Sequence, residues 1–307
     1  MIAPAPSPLV ALERARSFHD GQAATPRMSH PEGIAVASDG TVWCGSETGE
    51  LHRISPDGGE RRVVASTGGF LLGVAVDEAR GRVLVCDAHA ALLFAYDRAS
   101  ERLEPLEATR GLLVQPNFIV VDEARGCLFV SDSATREGAP RPSIWRFPLD
   151  GGPGRICVPE PLHFANGLAL SRDGATLWVA ETFRERVVAI ALDAAGDAAG
   201  PARIVTQTPG ALPDGLVATP DGTLLVCCYE PSVVFAVEAE AASAEPGAAP
   251  RDAPPRVLVG DPSAHLLCRP TNGALDRAGD LLLANFGGWH VTRVPLPREP
   301  RGEALDA

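Results

Sequence analysis

The stretch HFANGLALSRDGATLWVAETFRERVVAIAL, residues 163–192, decides the fold. Its first apolar run ends at Asp173-Gly174, a second run follows, and a polar loop leads to a third. Short apolar runs joined by Asp-Gly read as antiparallel strands with a tight hairpin between the first two. One polar amide, Asn166, stands between Ala165 and Gly167 where the first strand begins. Asn favours turns, so in a single copy it reads as a strand entry and nothing more. Only recurrence of the position gives it another meaning.

The unit does recur. Related segments are HPEGIAVASDGTVWCGSETGELHRIS from His30 and LLGVAVDEARGRVLVCDAHAALLFAYD from Leu71. QPNFIVVDEARGCLFVSDSATREGAPRPSIWRFPL follows from Gln115, then LPDGLVATPDGTLLVCCYEPSVVFAV from Leu212 and RPTNGALDRAGDLLLANFGGWHVTRVPL from Arg269. With the copy at Phe164 they align on Gly33, Gly73, Phe118, Gly167, Gly215 and Gly273. The intervals of 40, 45, 49, 48 and 58 residues each hold one four-stranded sheet, the period of a propeller blade. Asp39-Gly40, Arg80-Gly81, Asp173-Gly174 and Asp221-Gly222 supply the hairpin turns.

Fourth strands are visible in RRVVAS (61–66), GRICVP (154–159), ARIVTQ (202–207) and PRVLVG (255–260). The sixth copy runs into PREPRGEALDA without one, so an N-terminal strand around Leu9–Phe18 is expected to close the ring. The Ala/Pro-rich tracts Asp193–Ala202 and Glu238–Pro255 read as surface excursions between third and fourth strands. The reading is all-β: residues 1–307 form one six-bladed propeller of four-stranded antiparallel blades, starting near 30, 71, 115, 164, 212 and 269. A β-sandwich of similar strand spacing leaves the repeat unexplained.

Composition narrows the function. The chain is 45% hydrophobic and 21% charged, enough apolar material for a substantial core. A formal net charge of −12 argues against a nucleic-acid partner, which calls for clustered cations. All 27 Lys-or-Arg positions are Arg, which reads as coding bias. The seven Cys lack any C-x-x-C spacing, and the adjacent Cys227-Cys228 pair has the wrong geometry to bridge, so buried reduced thiols are expected. The opening residues MIAPAPSPLVALERARSFHD lack a basic start followed by an apolar core, and no apolar run reaches the ~18 residues of a membrane span. A soluble cytoplasmic protein, monomeric or weakly self-associating, is expected.

In an up-and-down blade, the residues before strand one and the loop between strands two and three share one face of the disc. The Asp-Gly turns lie on the other. The residues preceding the six anchors are Glu32, Leu72, Asn117, Asn166, Asp214 and Asn272. Five of these are polar oxygen carriers, brought together at the mouth of the central channel by the ring. Carboxylates crowded there repel one another and lose solvation, and a divalent cation relieves both costs. The donors are all oxygen, which suits Ca²⁺ or Mg²⁺, admits Mn²⁺, and suits Zn²⁺ less.

HPEGIAV, PNFIVVD, ANGLALSRDG, PDGLVATPDG and PTNGALD, in this order and spacing, resemble the SMP-30/gluconolactonase/LRE family of six-bladed propellers over about residues 28–296. The resemblance implies one catalytic divalent metal, Ca²⁺ foremost with Mg²⁺, Mn²⁺ and Zn²⁺ as other options, held by Glu32, Asn117, Asn166 and Asp214. It implies hydrolysis of a small-molecule lactone, with the metal polarising the carbonyl and Asp214 as the catalytic base for water. A metal-bound water is the competing nucleophile. The third blade departs from the family pattern: the family often has Asp-Gly after its Asn and Arg two residues before, where this chain has Phe118-Ile119 and Gln115. That departure points from sugar lactones towards a more apolar lactone or ester. Two other readings stand beside this one: a biosynthetic enzyme of the strictosidine-synthase-like kind, and a non-catalytic metal-binding propeller.

No G-x-S-x-G elbow is present, which argues against a serine hydrolase. Substrate contacts are expected from Phe118, His163, Arg184, Tyr229, Asn272, Trp289 and His290. Further candidates in the loops between strands two and three are Glu47, Asp87, His89, Asp132, Arg136 and Glu181. The longest such loop, SDSATREGAPRPS (131–143), is a candidate lid.

Overall fold

The computed structural model describes residues 7–134, 143–239 and 255–298. Arg136 and most of the candidate lid lie outside these residues, as does most of the Glu238–Pro255 tract. The described residues form six four-stranded antiparallel sheets. The first blade comprises Pro31–Val36, Val42–Ser46, Glu50–Ile54 and Arg61–Ser66. The second comprises Leu71–Asp77, Arg82–Asp87, Leu92–Asp97 and Arg102–Pro105, and the third Pro116–Asp122, Cys127–Asp132, Ile144–Pro148 and Arg155–Val158. The fourth holds Ala165–Leu170, Thr176–Glu181, Arg186–Ala191 and Arg203–Gln207, the fifth Pro213–Ala218, Leu224–Cys228, Val233–Val237 and Arg256–Gly260. The sixth combines Pro270–Leu275, Leu281–Asn285 and His290–Val294 with the N-terminal strand Arg16–Asp20.

The N-terminal strand therefore closes the ring as expected, but later in the chain than Leu9–Phe18. A 3-10 turn occupies Leu12–Arg14, and the amides of Leu9 and Val10 donate instead to Val257 O and Leu258 O of the fifth blade. The segment thus ties the last two blades together before it pairs with His290–Val294.

Second strands such as Val42–Ser46, Leu224–Cys228 and Leu281–Asn285 are buried at every residue. Each blade is sandwiched between two neighbours, so both faces of its middle strands are covered. That is why these strands read as unbroken apolar runs without polar alternation. Packing follows the same geometry, with a separate apolar cluster between each pair of adjacent blades and no single central core. Phe129, Ile144, Leu168 and Val179 lie between the third and fourth blades, for example, and Trp43, Leu51, Val74 and Val85 between the first and second. Six Cys are buried, Cys268 is half-buried, and none is bridged. No helix among the described residues is long and apolar enough to cross a membrane.

The inner strands approach one another closely around the channel, and the repeated Gly makes this possible. A Cβ on Gly33 would lie 1.9 Å from Leu72 O, and one on Gly167 2.2 Å from Asp214 O. Both obstacles are backbone of the next blade and cannot swing aside. Gly167→Ala is therefore expected to destabilise the fold by about 3 kcal/mol, the upper end for overpacking. Gly200→Ala, with nothing within 4 Å, should leave it unchanged. Parallel denaturant melts check this. Equal midpoints for the two variants would contradict the close-approach role.

Candidate metal centre and substrate cavity

Each inner strand carries a bulge at its channel end. Pro31 pairs with Ser46 and Ile34 with Cys44, so Glu32 and Gly33 together face one residue of the second strand. The same slip falls between Leu71 and Val74, Pro116 and Ile119, Ala165 and Leu168, and Pro213 and Leu216. A bulge re-aims side chains and frees backbone from the ladder. In the first, third, fourth and fifth blades the re-aimed residues are Glu32, Asn117, Asn166 and Asp214, which line one cavity of about 700 Å³.

The sixth blade differs. Its slip falls between Pro270 and Asn272, and Thr271 lines the cavity while Asn272 lies behind it. Asn272 Nδ2 donates to Glu32 O at 3.0 Å, and Thr271 Oγ1 donates to the same carbonyl at 3.2 Å. Asn272 is thus a tie between the last and first blades, not a cavity wall. Alignment on Gly273 had placed it in the ring. Register places Thr271 there.

Glu32, Asn117, Asn166, Asp214 and Asn272 are all at most 6% exposed. Glu32 Oε2, Asp214 Oδ1 and the Oδ1 atoms of the three Asn are buried without a hydrogen-bond partner. Buried polar atoms are normally satisfied, so the four orphaned oxygens of Glu32, Asn117, Asn166 and Asp214, whose residues line the cavity, are costly unless something binds them. The Asn nitrogens, by contrast, are all engaged: Asn117 Nδ2 donates to Ser133 Oγ at 2.9 Å and Asn166 Nδ2 to Thr182 Oγ1 at 3.2 Å. The chain contains four Asn in all; two line this cavity, and a third, Asn272, ties the strand that carries Glu32 to the sixth blade.

The electrostatics point the same way. Burial pushes the Glu32 carboxyl up to about 7, against the lowering effect of the Thr271 hydroxyl. Asp214 is held well above the usual carboxylate range, by burial first and the Glu32 charge second, with the Asn166 amide opposing. Among the described residues no Arg lines the cavity to compensate them. Two carboxylates and neutral amide oxygens lining one cavity fit a hard divalent ion. Among the described residues no three His, Cys, Asp or Glu gather to hold a metal by themselves, so the amide oxygens are essential to that fit.

Above the ring the cavity is mainly apolar. Phe70, Phe164, Phe183, Phe286, Tyr229 and Leu212 form its walls, with Gln115 and His89 among the few polar groups. Phe70 stacks on Phe286 at 5.8 Å between centroids, and Phe164 meets Phe183 at 4.7 Å.

A family model described as the SMP-30/Gluconolactonase/LRE-like region matches residues 30–268. The chain belongs to this family. No curated protein matches it. Among solved structures, a gluconolactonase from Xanthomonas campestris superimposes with TM-score 0.72 at 22% identity, over 96% of this chain and 99% of that one. A calcium-binding protein, regucalcin, from Agrobacterium tumefaciens gives TM-score 0.69 at 17% identity, over 95% and 96%. A luciferin-regenerating enzyme gives 0.66 at 16%, over 87% and 92%. At these identities the likeness is one of fold.

In this family member Tyr229 and His89 line the cavity, but most other loop candidates do not. Phe118 packs into the cluster between the third and fourth blades, so the apolar character of the cavity comes from other aromatics. His163 and Arg184 are exposed and bond one another, His163 Nε2 to Arg184 at 2.9 Å. Trp289 packs against His30 and under the Arg27 guanidinium, and the His290 ring contacts Leu266 O. Glu47 lies 3.9 Å from His30. Asp87, Asp132 and Glu181 end their second strands and bind loop amides: Asp87 takes those of Phe70, His89 and Ala90, Asp132 those of Val114 and Gln115, Glu181 that of His163. They hold the chain as it enters the inner strand.

A different pattern marks the cavity wall. Phe70, Gln115, Phe164 and Leu212 each stand two residues before the ring position of their blade, and all four line the cavity. The collar recurs at one position of the repeat, in the connection that leads into the inner strand.

Proposed function

We propose that the protein is a divalent-cation-dependent hydrolase of lactone-type carboxylic esters whose substrates have a largely apolar body. The observation that carries the reading is the set of orphaned, buried oxygens at the floor of a deep cavity. Glu32, Asn117, Asn166 and Asp214 would hold the cation, Ca²⁺ first among the candidates. When bound, such a cation supplies Lewis-acid polarisation of the ester carbonyl.

The chain's own groups do the rest. Asp214, buried at the cavity floor, accepts the proton of the attacking water as its oxygen bonds to the carbonyl carbon. The ring C–O bond then breaks, and that proton passes to the departing alkoxide, leaving a hydroxy acid. The aromatic walls hold the substrate body and exclude bulk water, and among the described residues no Arg lines the cavity to pair with an anionic one. A polyhydroxylated ring would find few partners here for its hydroxyls, whereas each buried CH₂ gains about 0.8 kcal/mol.

A panel of δ-lactones tests this, with alkyl- and aryl-substituted rings beside a sugar δ-lactone, assayed with Ca²⁺ present. Three well-buried methylenes would favour the alkyl series in kcat/KM by about fiftyfold. A preference for the sugar lactone would overturn the substrate class, and no turnover of any ester would overturn the hydrolase.

A further inference from the structure

The amide orientations are fixed by a hydroxyl relay that runs from blade to blade. Ser133 Oγ receives Asn117 Nδ2–H and donates to Ala165 O at 2.6 Å, next to Asn166 on the fourth blade. Thr182 Oγ1 receives Asn166 Nδ2–H and donates to Pro213 O at 2.7 Å, next to Asp214 on the fifth. Both hydroxyls follow their Asn by 16 residues, and both are buried.

Protons can be counted around this chain. A backbone carbonyl only accepts, so each hydroxyl must spend its single proton on it. The hydroxyl then offers the Asn nothing but lone pairs. An amide flipped by 180° would set Oδ1 against those lone pairs, so the NH₂ must face the hydroxyl and Oδ1 must face the channel. We propose that Ser133 and Thr182 are positioning residues that present the Asn117 and Asn166 carbonyl oxygens to a divalent cation and tie each ring position to the next blade. This rests on the cation reading above, while the amide orientation itself does not.

The test uses the full-length protein, freed of metal by chelation, as wild type and as Ser133→Ala, Thr182→Val and Thr182→Ser. Calorimetric titration with Ca²⁺ should show Ser133→Ala and Thr182→Val each weakening affinity about 10- to 100-fold, the usual cost of losing an outer-shell partner. Thr182→Ser keeps the hydroxyl and should restore affinity to within a few-fold of wild type.

A second readout needs no cation. With [¹⁵N]Asn labelling, only four side-chain NH₂ pairs appear. Asn285, bonded to Thr292 Oγ1 at 2.9 Å, serves as the internal reference. In Thr182→Val the Asn166 pair should exchange with solvent about three- to tenfold faster, the worth of one hydrogen bond. Wild-type Ca²⁺ affinity in both deletion variants, or failure of Thr182→Ser to rescue, would overturn the positioning role. Were wild type itself to bind no Ca²⁺, the cation reading would fall, and unchanged Asn166 exchange in Thr182→Val would separately overturn the relay.

Discussion

Asp214→Asn should abolish lactone hydrolysis, by about a thousandfold or more in kcat/KM, while making the chelated protein more stable at alkaline pH. Both halves follow from the same burial. Asp214 is 6% exposed, with an unpartnered Oδ1 facing the cavity and the Glu32 charge as a neighbour. As the proposed acceptor of the water's proton, it would contribute on the scale of a general base, roughly 10²- to 10⁴-fold. Its amide replacement keeps the shape and loses the basicity together with one of two anionic donors. In the chelated protein that anion is a liability, because it is desolvated and repelled. Removing it should raise the melting temperature at pH 8, where the wild-type pair is pressed to ionise. A site maintained at the expense of stability is expected where function requires it. Hydrolysis rates and thermal melts on one preparation check both halves. Lost activity with lowered stability would instead mark Asp214 as a structural ligand, and retained activity would remove it from the mechanism.

The second large effect concerns cation and pH together. Glu32 has its folded pKa raised to about 7 from an ordinary 4.5, and Asp214 is raised well above its own. A carboxyl raised on folding favours the folded state when protonated. Its contribution is fully present below the unfolded pKa values and is lost as pH rises through the folded ones. The chelated protein should therefore lose stability from Glu32 between about pH 4.5 and 7, and from Asp214 as pH climbs above the ordinary carboxylate range. A bound divalent cation reverses the sign by favouring the ionised forms. Calcium at 100 times its Kd stabilises by about 2.7 kcal/mol, worth about 4 °C in melting temperature for a domain of this size. The Ca²⁺-induced gain should be large at pH 8 and small at pH 5, where protons compete. Other titrating groups cancel, since the comparison is with and without the ion at each pH. Equal gains at the two pH values would contradict a site built on Glu32 and Asp214.

Much of this architecture was legible because the chain repeats itself. The six inner strands, their Gly-containing turns and, in five of the six copies, a polar residue at the channel end recur at blade-length intervals. The signal lies in the recurrence, since no single copy exceeds an ordinary turn. What escaped the sequence depends on register and on contacts distant along the chain. Asn272 was placed in the ring through Gly273, but the bulge in the sixth blade falls one residue differently and brings Thr271 to the wall. Asp87, Asp132 and Glu181 looked like substrate contacts because they are charged and lie in the loops of the right face. Asp87 Oδ1, both Asp132 oxygens and Glu181 Oε1 are taken by backbone amides up to 18 residues away, and Glu181 Oε2 by Arg186, a use that composition does not reveal. Phe118 announced an apolar cavity for the wrong reason: it faces the neighbouring blade, and the aromatic walls come largely from Phe70, Phe164, Phe183 and Phe286. The N-terminal strand was foreseen from a missing partner in the sixth blade, with its start misplaced because Leu9 and Val10 are apolar for the sake of the fifth.

The most direct test of the central claim is hydrolysis of an alkyl-substituted δ-lactone by chelated protein as Ca²⁺ is added back in substoichiometric steps. The account expects no turnover at the start, a linear rise and a break at one ion per chain. Full activity in the chelated protein, with no response to added ion, would contradict it.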